Sequence, residues 1–593
     1  MIGNGVRRFW ISLTIPLCVL GLMLLGPVAR LTPGAAARAA EGDALEVPYI
    51  LWGGDVATFL ANGGLKTQPD TIFARQGLHL TLTPGDNFDQ QVKNYLAGKS
   101  PFLRGTFSML GQASERLAGD PAARPVVFLQ LTWSAGDHLV TRPGCKRLDD
   151  LKGKKIALQR GGPHVGMLGD ILRTVRLGWD DVRVVWTDDV TGDKGPAALF
   201  RKDPSVDACF AITPDMVALT GGLDKTGTGD KGTVKDAHVL VSTAYMKRSI
   251  ADVYACRKDF FDAHKELVEK FAAGYLKACE ELVELRRKPE DPKYKAVLKM
   301  TQDIYGKEAI ASADDADGLI SDAVFVGLPG NVSFFTDKGN LSGFDVKQKA
   351  ALDVAVALGD AKERHEFLKP DFDYGKIKEQ GGLVGKAPPQ NRFREDLKVL
   401  PENTIYSFTI GFKPDQTTFP EKNYRDDFQR ALEQASLFGN SVVLVRGHSD
   451  PTNLLLLFKT RGLEKGILKE KGDGLYLKDG TKVDLANVKQ VLEVINKENF
   501  GDDQLKKGAE YLLDLSRKRA EQVRQAVIDY AESKGYRLDK SQIRPMGAGC
   551  TEPMTTLPKD LADLTDEAVQ KNRRVEFRII KVSFEASTPE IDY

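Results

Sequence analysis

At 593 residues, 42% of them hydrophobic, the chain is long enough for three or four domains with ordinary cores. Lys plus Arg number 83 against 82 Asp plus Glu, and the formal charge of +1 excludes nucleic acid as a main partner, because phosphate binding requires a basic face. Six scattered cysteines, with no CxxC or Cys/His spacing, give no metal site, and no motif requires a cofactor.

The chain opens with Arg7-Arg8, an apolar stretch over residues 9–28 and the small-residue run Ala35-Ala36-Ala37-Arg38-Ala39-Ala40. This is the charge, apolar core and A-x-A order of a secretory signal. Residues 1–40 are read as a signal peptide or, since about 20 apolar residues span a bilayer, as a retained membrane anchor. Either reading places the remainder in the periplasm. Cys18 lies in this segment; export makes disulfides possible among Cys145, Cys209, Cys256, Cys279 and Cys550, but most of them are expected as buried or free thiols.

Residues 45–385 alternate β-rich runs with helices. Val47-Pro48-Tyr49-Ile50-Leu51-Trp52 predicts a strand, Gly53-Gly54-Asp55 a turn and Val56 a helix start; residues 78–82 predict a second strand and 88–97 a second helix. Such alternation predicts an α/β sheet with helices on both faces, where ligands bind beyond the carboxyl ends of strands. Candidate solute contacts follow from that rule. Trp52 would supply an apolar wall, Thr106 and Ser108 stand at a helix start, Ser134 at a crossover, and Thr213 and Asp215 after another strand. Gly161-Gly162-Pro163 precedes a helix over 164–175, so N–H groups near Gly162 and His164 would favour an anionic group. Each position also has an ordinary use: Ser, Thr and Asp cap helices, Trp fills cores, and His164 fits a solvated helix start.

Three runs are more specific. Val126-Val127-Phe128-Leu129-Gln130-Leu131-Thr132-Trp133-Ser134 leads through Leu148-Asp149-Asp150-Leu151-Lys152-Gly153-Lys154-Lys155-Ile156-Ala157 to Val206-Asp207-Ala208-Cys209-Phe210-Ala211. They resemble the solute-binding proteins of nitrate-, sulfonate- and taurine-type transporters, and Phe334-Phe335 and Gly343-Phe344 fit the C-terminal lobe of that family. The resemblance implies a two-lobed periplasmic-binding-protein (type 2) fold closing on a small-molecule solute at a hinge, with an ABC permease as partner. The same fold includes a pyrimidine-forming enzyme related to thiamine synthesis. Its cysteine-rich active-site run has only Cys209 as a counterpart here, so no enzyme is expected.

Residues 386–404, with Pro388-Pro389, read as a linker. From 405 to 593 the signals are an apolar strand over 404–410; the buried run Ser441-Val442-Val443-Leu444-Val445, ended by Gly447 and Pro451 so that Asp450 sits at a strand end; Leu515-Ser516-Arg517-Lys518-Arg519-Ala520 opening a helix; and Asn572-Arg573-Arg574-Val575-Glu576-Phe577. Together they resemble the OmpA-like peptidoglycan-binding domain, an α+β fold of βαβαβ type. That resemblance implies that Asp450 and Arg519 grip the amine and carboxylate of diaminopimelate in a peptidoglycan stem peptide, with Asn572 and Arg574 in ligand contact or supporting the fold. The plain alternative is a structural ion pair. Leu512 departs from the family's usual Asn, and an insertion at about 452–511 replaces a short loop. Within it, 475–483 predicts a hairpin around Asp479-Gly480, 485–496 a helix, and 454–458 a docking core or partner site.

The expected function is non-enzymatic: a periplasmic binding protein for a small anionic or polar metabolite, linked to ABC-type uptake and tethered to peptidoglycan. The alternative is a wall-anchored structural or protein-docking protein whose front module no longer binds solute. A flagellar-stator role is excluded because residues 9–28 hold no acidic residue to carry protons.

Overall fold

Ten successive buried residues, Pro125–Ser134, form the strand around which the first lobe is built. A run apolar on both faces suits a central strand covered on both sides. The computed structural model describes residues 44–385, 404–411, 416, 418–472, 474–555, 565–581 and 591–592. The expected signal (1–40) and nearly all of the expected linker (386–404) lie outside them, Thr404 being the first residue of a strand. Among the described residues no helix is long and apolar enough to cross a membrane.

In the first lobe, β1 (Leu45–Tyr49) pairs in parallel with β2 (Leu80–Pro84). Beside them lie β3 (Phe102–Thr106), β4 (Pro125–Ser134), β10 (Ala251–Arg257), β11 (Ala323–Val326) and β19 (Ile591–Asp592), in the order β19-β11-β4-β10-β3. The helix Lys258–Arg286 covers this sheet, with Val268, Phe271 and Tyr275 packed against Phe128 and Tyr254. The second lobe is a sheet of order β7-β6-β8-β5-β9, from β5 (Asp137–Thr141), β6 (Lys155–Gln159), β7 (Arg183–Thr187), β8 (Ala208–Ile212) and β9 (His238–Ser242). Two crossings join the lobes. Ala135-Gly136 connect β4 to β5, and residues 243–250 return from β9 to β10. The crossings are stitched together: the Ser134 N–H donates to the Ile250 carbonyl at 3.1 Å and the Thr243 N–H to the Asp137 carbonyl at 2.9 Å.

The C-terminal domain has a four-stranded sheet, β12 (Thr404–Gly411), β13 (Ser441–Gly447), β17 (Ile543–Gly547) and β18 (Arg574–Lys581), in the order β12-β18-β13-β17. Only β13 and β17 are parallel. Helices Glu421–Leu437 and Gln504–Ser533 cover one face, where Phe428, Val523 and Val527 meet Val443, Val445 and Phe577. The insertion is a folded unit. Helix Thr452–Glu464, the antiparallel strands β14 (Leu468–Lys471), β15 (Gly474–Leu477) and β16 (Lys482–Val483), and helix Val488–Lys497 enclose Leu454, Leu455, Phe458, Val491 and Ile495. The run 454–458 thus supplies core, apart from exposed Leu456. The insertion has no boundary at 511, because Gln504–Ser533 is one continuous helix shared with the rest of the domain. All five cysteines beyond Cys18 are buried and free.

The domain is docked on the front module. A single apolar cluster runs from Leu168 and Ile171 of the second lobe to Ile405, Phe428 and Val523. Gly447 sets the height of the long helix above the sheet, since a Cβ there would overlap the Ser516 carbonyl oxygen. Gly447→Val should therefore lower the stability of the C-terminal domain by about 1–3 kcal/mol through overpacking. Calorimetry would register this as a lowered transition; an unchanged profile would show that the helix is not held this close.

Candidate functional site

The junction between the lobes centres on Asp137. Its carboxylate accepts the Ser134 hydroxyl and lies 2.7 Å from His164 Nε2, while its N–H donates to Thr243 Oγ1 at 3.0 Å. Burial works against its charge, but the imidazole and hydroxyl bonded to it hold its carboxyl below the usual range. His164 is wholly buried and stacks on Phe210 at 5.1 Å, so it is not a solvated helix start. The order Ser134, Asp137, His164 puts the carboxylate between hydroxyl and imidazole. A nucleophilic triad needs the imidazole in the middle, to take the hydroxyl proton.

A second polar group adjoins it. His138 Nε2 lies 3.1 Å from Thr213 Oγ1, and burial pushes the His138 imidazole down to about 4, which leaves it neutral at pH 7. Asp322, whose side chain comes close to Gly136, has its carboxyl pushed up to about 6 by burial, against the pull of the Thr213 hydroxyl and with the Asp137 charge adding to the rise. Deeper in the first lobe, Arg104 bonds Asp55 through Nη2 at 2.7 Å and Asp252 through Nη1 at 2.9 Å. Thr132 joins this cluster to Trp52: it donates to Asp252 at 2.9 Å and accepts Trp52 Nε1 at 3.0 Å.

On the other side of the hinge is a cavity of about 30 Å³ whose lining includes Thr106, Ser108, Pro163, Gly166, Asp170, Ser249 and Lys347. The first lobe brings Thr106, which caps the six-residue helix Phe107–Gln112 by accepting the Met109 N–H, and the second brings the helix His164–Val175. Asp170 accepts the Ser249 hydroxyl at 2.8 Å, and Lys347 Nζ stands 3.6 Å from Asp170 and donates to the Ser249 carbonyl at 3.2 Å. Burial pushes the Lys347 ammonium down, with Asp170 opposing. Helix Phe344–Ala357, which carries Lys347, closes this side. A Cβ on Gly111 would lie 2.8 Å from the Ala351 carbonyl oxygen, and one on Gly169 2.6 Å from a Val354 methyl. Among the described residues no group of three His, Cys, Asp or Glu is placed to hold a metal ion.

Of the eight solute positions expected from the sequence, Thr106 and Ser108 line the cavity. Ser134, His164 and Thr213 meet at the hinge, and Trp52 joins the Arg104 cluster. Gly162 is buried against Gln159, and Asp215 accepts the Thr191 hydroxyl at 2.7 Å, apart from both groups. Sequence reasoning missed Asp170, Lys347, His138 and Asp322. Asp170 was within reach, one turn after Gly166 on the same helix face. Lys347 and Asp322 have no local signal.

In the C-terminal domain, Asp450 accepts Asn572 Nδ2 at 2.9 Å and the Thr452 N–H at 3.0 Å, and Asn572 Oδ1 accepts the Met554 N–H at 2.8 Å. Arg574 donates to the Glu552 carbonyl at 3.1 Å. Ser449 ties the Asp450 loop to the long helix by donating to the Leu512 carbonyl at 2.9 Å, and Ser516 Oγ takes the Gly549 N–H at 2.9 Å. Arg519, one turn beyond Ser516, is only 2% exposed. Asp450 and Asn572 are thus brought together in a braced loop, while Arg519 sits below the surface.

The Asp322 carboxyl titrates higher in the folded chain, at about 6, than in the unfolded chain, at 3.8. Its contribution to stability is complete below pH 4 and is lost as pH rises through 6. Asp322→Asn should accordingly gain on the wild type between pH 4 and 7, by on the order of 2 kcal/mol. Melting curves across that range would check this, and parallel pH profiles would contradict it.

The family model described as NMT1/THI5 like matches residues 72–288, a span that holds seven of the eight expected solute positions and leaves out Trp52. No curated protein sequence is similar to the chain. Among solved structures, the chain is similar to the periplasmic sulfonate-binding protein SsuA of a sulfonate ABC transporter from Methylobacillus flagellatus, at 16% identity and a TM-score of 0.40 over 58% of this chain and 96% of that one. It is also similar to a Candida albicans protein with the generic periplasmic binding protein fold, at 12% identity and a TM-score of 0.37 over 56% of this chain and 99% of that one. A third is the desulfurization enzyme DSZB, at 14% and 0.34 over 57% of this chain and 99% of that one. Residues 72–288 are therefore similar to NMT1/THI5-like domains, within a longer chain.

Proposed function

We propose that the front module is a periplasmic solute-binding module for a small polar or anionic metabolite, serving ABC-type uptake, and that the C-terminal domain tethers it to peptidoglycan. The observation that carries the first half is the pair of short crossings between two α/β lobes, with helix starts from both lobes, at Thr106 and His164, on one seam. The NMT1/THI5-like match over the same segment supports it. The seam is closed: about 30 Å³ holds a water molecule or two, against the roughly 300–1,000 Å³ of metabolite pockets. Solute entry therefore requires the lobes to part at Ala135-Gly136 and 243–250. An enzymatic role draws no support from Cys209, whose thiol burial holds far above the range of a nucleophile.

A second reading, a docking or structural module without solute, is favoured by one observation, the packing of helix Phe344–Ala357 into the seam. Mass spectrometry of small molecules released from natively purified protein, with a thermal-shift panel of sulfonates, other anions, amino acids and pyrimidine precursors, separates the two. A bound or stabilising compound is expected, because a ligand held only by the native state raises the melting temperature. No compound from either experiment would leave the docking reading.

The wall half rests on Asp450, held by Asn572 where a ligand ammonium can reach its half-buried carboxylate. Full-length protein should sediment with purified peptidoglycan, and Asp450→Ala should cut retention by about tenfold or more, the worth of one charge-assisted hydrogen bond. Equal retention of the variant would remove this assignment.

A further inference from the structure

We infer that the C-terminal domain is a brake on the hinge, so that parting of the lobes requires it to lift from one of them, and binding events on the two modules are reciprocally coupled. The inference rests on reading the front module as hinged. The domain holds all three parts that a hinge motion would move against each other.

On the second lobe, Arg430 donates to the Thr174 carbonyl at 3.0 Å, at the end of helix His164–Val175, and Arg147 donates to Ser407 on β12, also at 3.0 Å. At the return crossing, Asn440 donates to the Ala244 carbonyl and the Arg248 N–H to the Leu437 carbonyl, each at 3.2 Å. On the first lobe, the Arg537 N–H donates to the Gly339 carbonyl at 3.0 Å, Arg537 pairs with Asp337, and Ser342 and Ser436 share a hydrogen bond of 2.6 Å. Residues 337–342 belong to the first lobe because the flanking helices, Leu328–Thr336 and Phe344–Ala357, bury Phe334, Phe335 and Phe344 in its core.

A body fixed to two others and to the strap between them removes their relative freedom. Two of these bonds, from the Arg248 N–H to Leu437 and from the Arg537 N–H to Gly339, run between main-chain groups, so they follow backbone displacement directly and cannot be kept by a change of side-chain rotamer. The apolar cluster that continues from the second lobe into the domain adds a dry interface that has to be wetted on lifting. Whatever favours the lifted state, a solute that holds the lobes apart or a wall ligand that pulls the domain away, must then favour the other by the same factor.

The test uses the full chain with spin labels on cysteines introduced at exposed Lys202, Glu363 and Gln525, one each in the second lobe, the first lobe and the C-terminal domain. Two independent routes loosen the dock. Gly339→Leu drives a side chain into the Gly535 carbonyl at the first-lobe contact, and the double variant Arg430→Ala with Asn440→Ala removes donors at the other two contacts. Wild type should give one narrow distance between the lobes. In either variant the distance from domain to lobe should broaden, and a longer interlobe component should rise from under about 10% to a major population. Circular dichroism of each variant establishes that it has folded. An interlobe distance unchanged while the domain lifts would overturn the inference, as would a domain that stays seated in both variants. A solute screen without hits leaves these distances as they are, so failure of the solute reading and failure of the brake are told apart.

Discussion

One carboxylate organises the junction between the lobes. Asp137 takes the hydroxyl of Ser134 at the end of the first lobe's central strand, the imidazole of His164 at a helix start of the second lobe, and through its backbone the Thr243 segment that carries the chain home. A buried charge is tolerated only where it is bonded on several sides, so these partners are required as a set. Because they come from both lobes and from the return strap, the geometry that satisfies the charge is also the geometry that closes the seam. The Lys347 and Asp170 pair, buried with Ser249 on the opposite side, repeats the arrangement with the sign of the buried base added.

Much of the chain was legible from local patterns. The strand expected over 47–52 is present but displaced to Leu45–Tyr49, and the helix over 164–175 and the hairpin around Asp479-Gly480 are in place, because period-two and helical spacing act over a few residues. The crossover at Ser134 was legible too, since an apolar run ending in small polar residues must turn there. Side-chain destinations were not. His164 faces the carboxylate of Asp137, the first strand residue of its own lobe and 27 residues back, and Lys347 meets Asp170 only because a helix near the end of the module folds back into the seam. Nothing near either residue records those encounters. Arg519 is the clearest case: the resemblance implied a group that grips a ligand, but the packing of that helix leaves it almost without exposure.

The docked domain changes how the two motif families combine. Read separately, a binding module and a wall module joined by a proline-containing linker suggest two beads on a string. The observed interface instead shares one apolar cluster with the second lobe and sets hydrogen bonds at each lobe, from Arg430 to Thr174 on the second and between Ser436 and Ser342 on the first. Composition gave no warning, since the residues involved, such as Arg147, Ser407 and Asn440, are ordinary surface types on their own elements.

Helix Gln504–Ser533 joins all of this mechanically. Its thirty residues extend about 45 Å. Leu505, at one end, is part of the insertion's core; Ser516 and Arg519 lie midway beside the Asp450 loop; and just past the other end, Gly535 and Arg537 press on the first lobe. A stiff rod with a load at each end and a fulcrum near its middle is a lever. Contacts made on the insertion are therefore linked, through one rigid element, to the contact with the first lobe at Gly339.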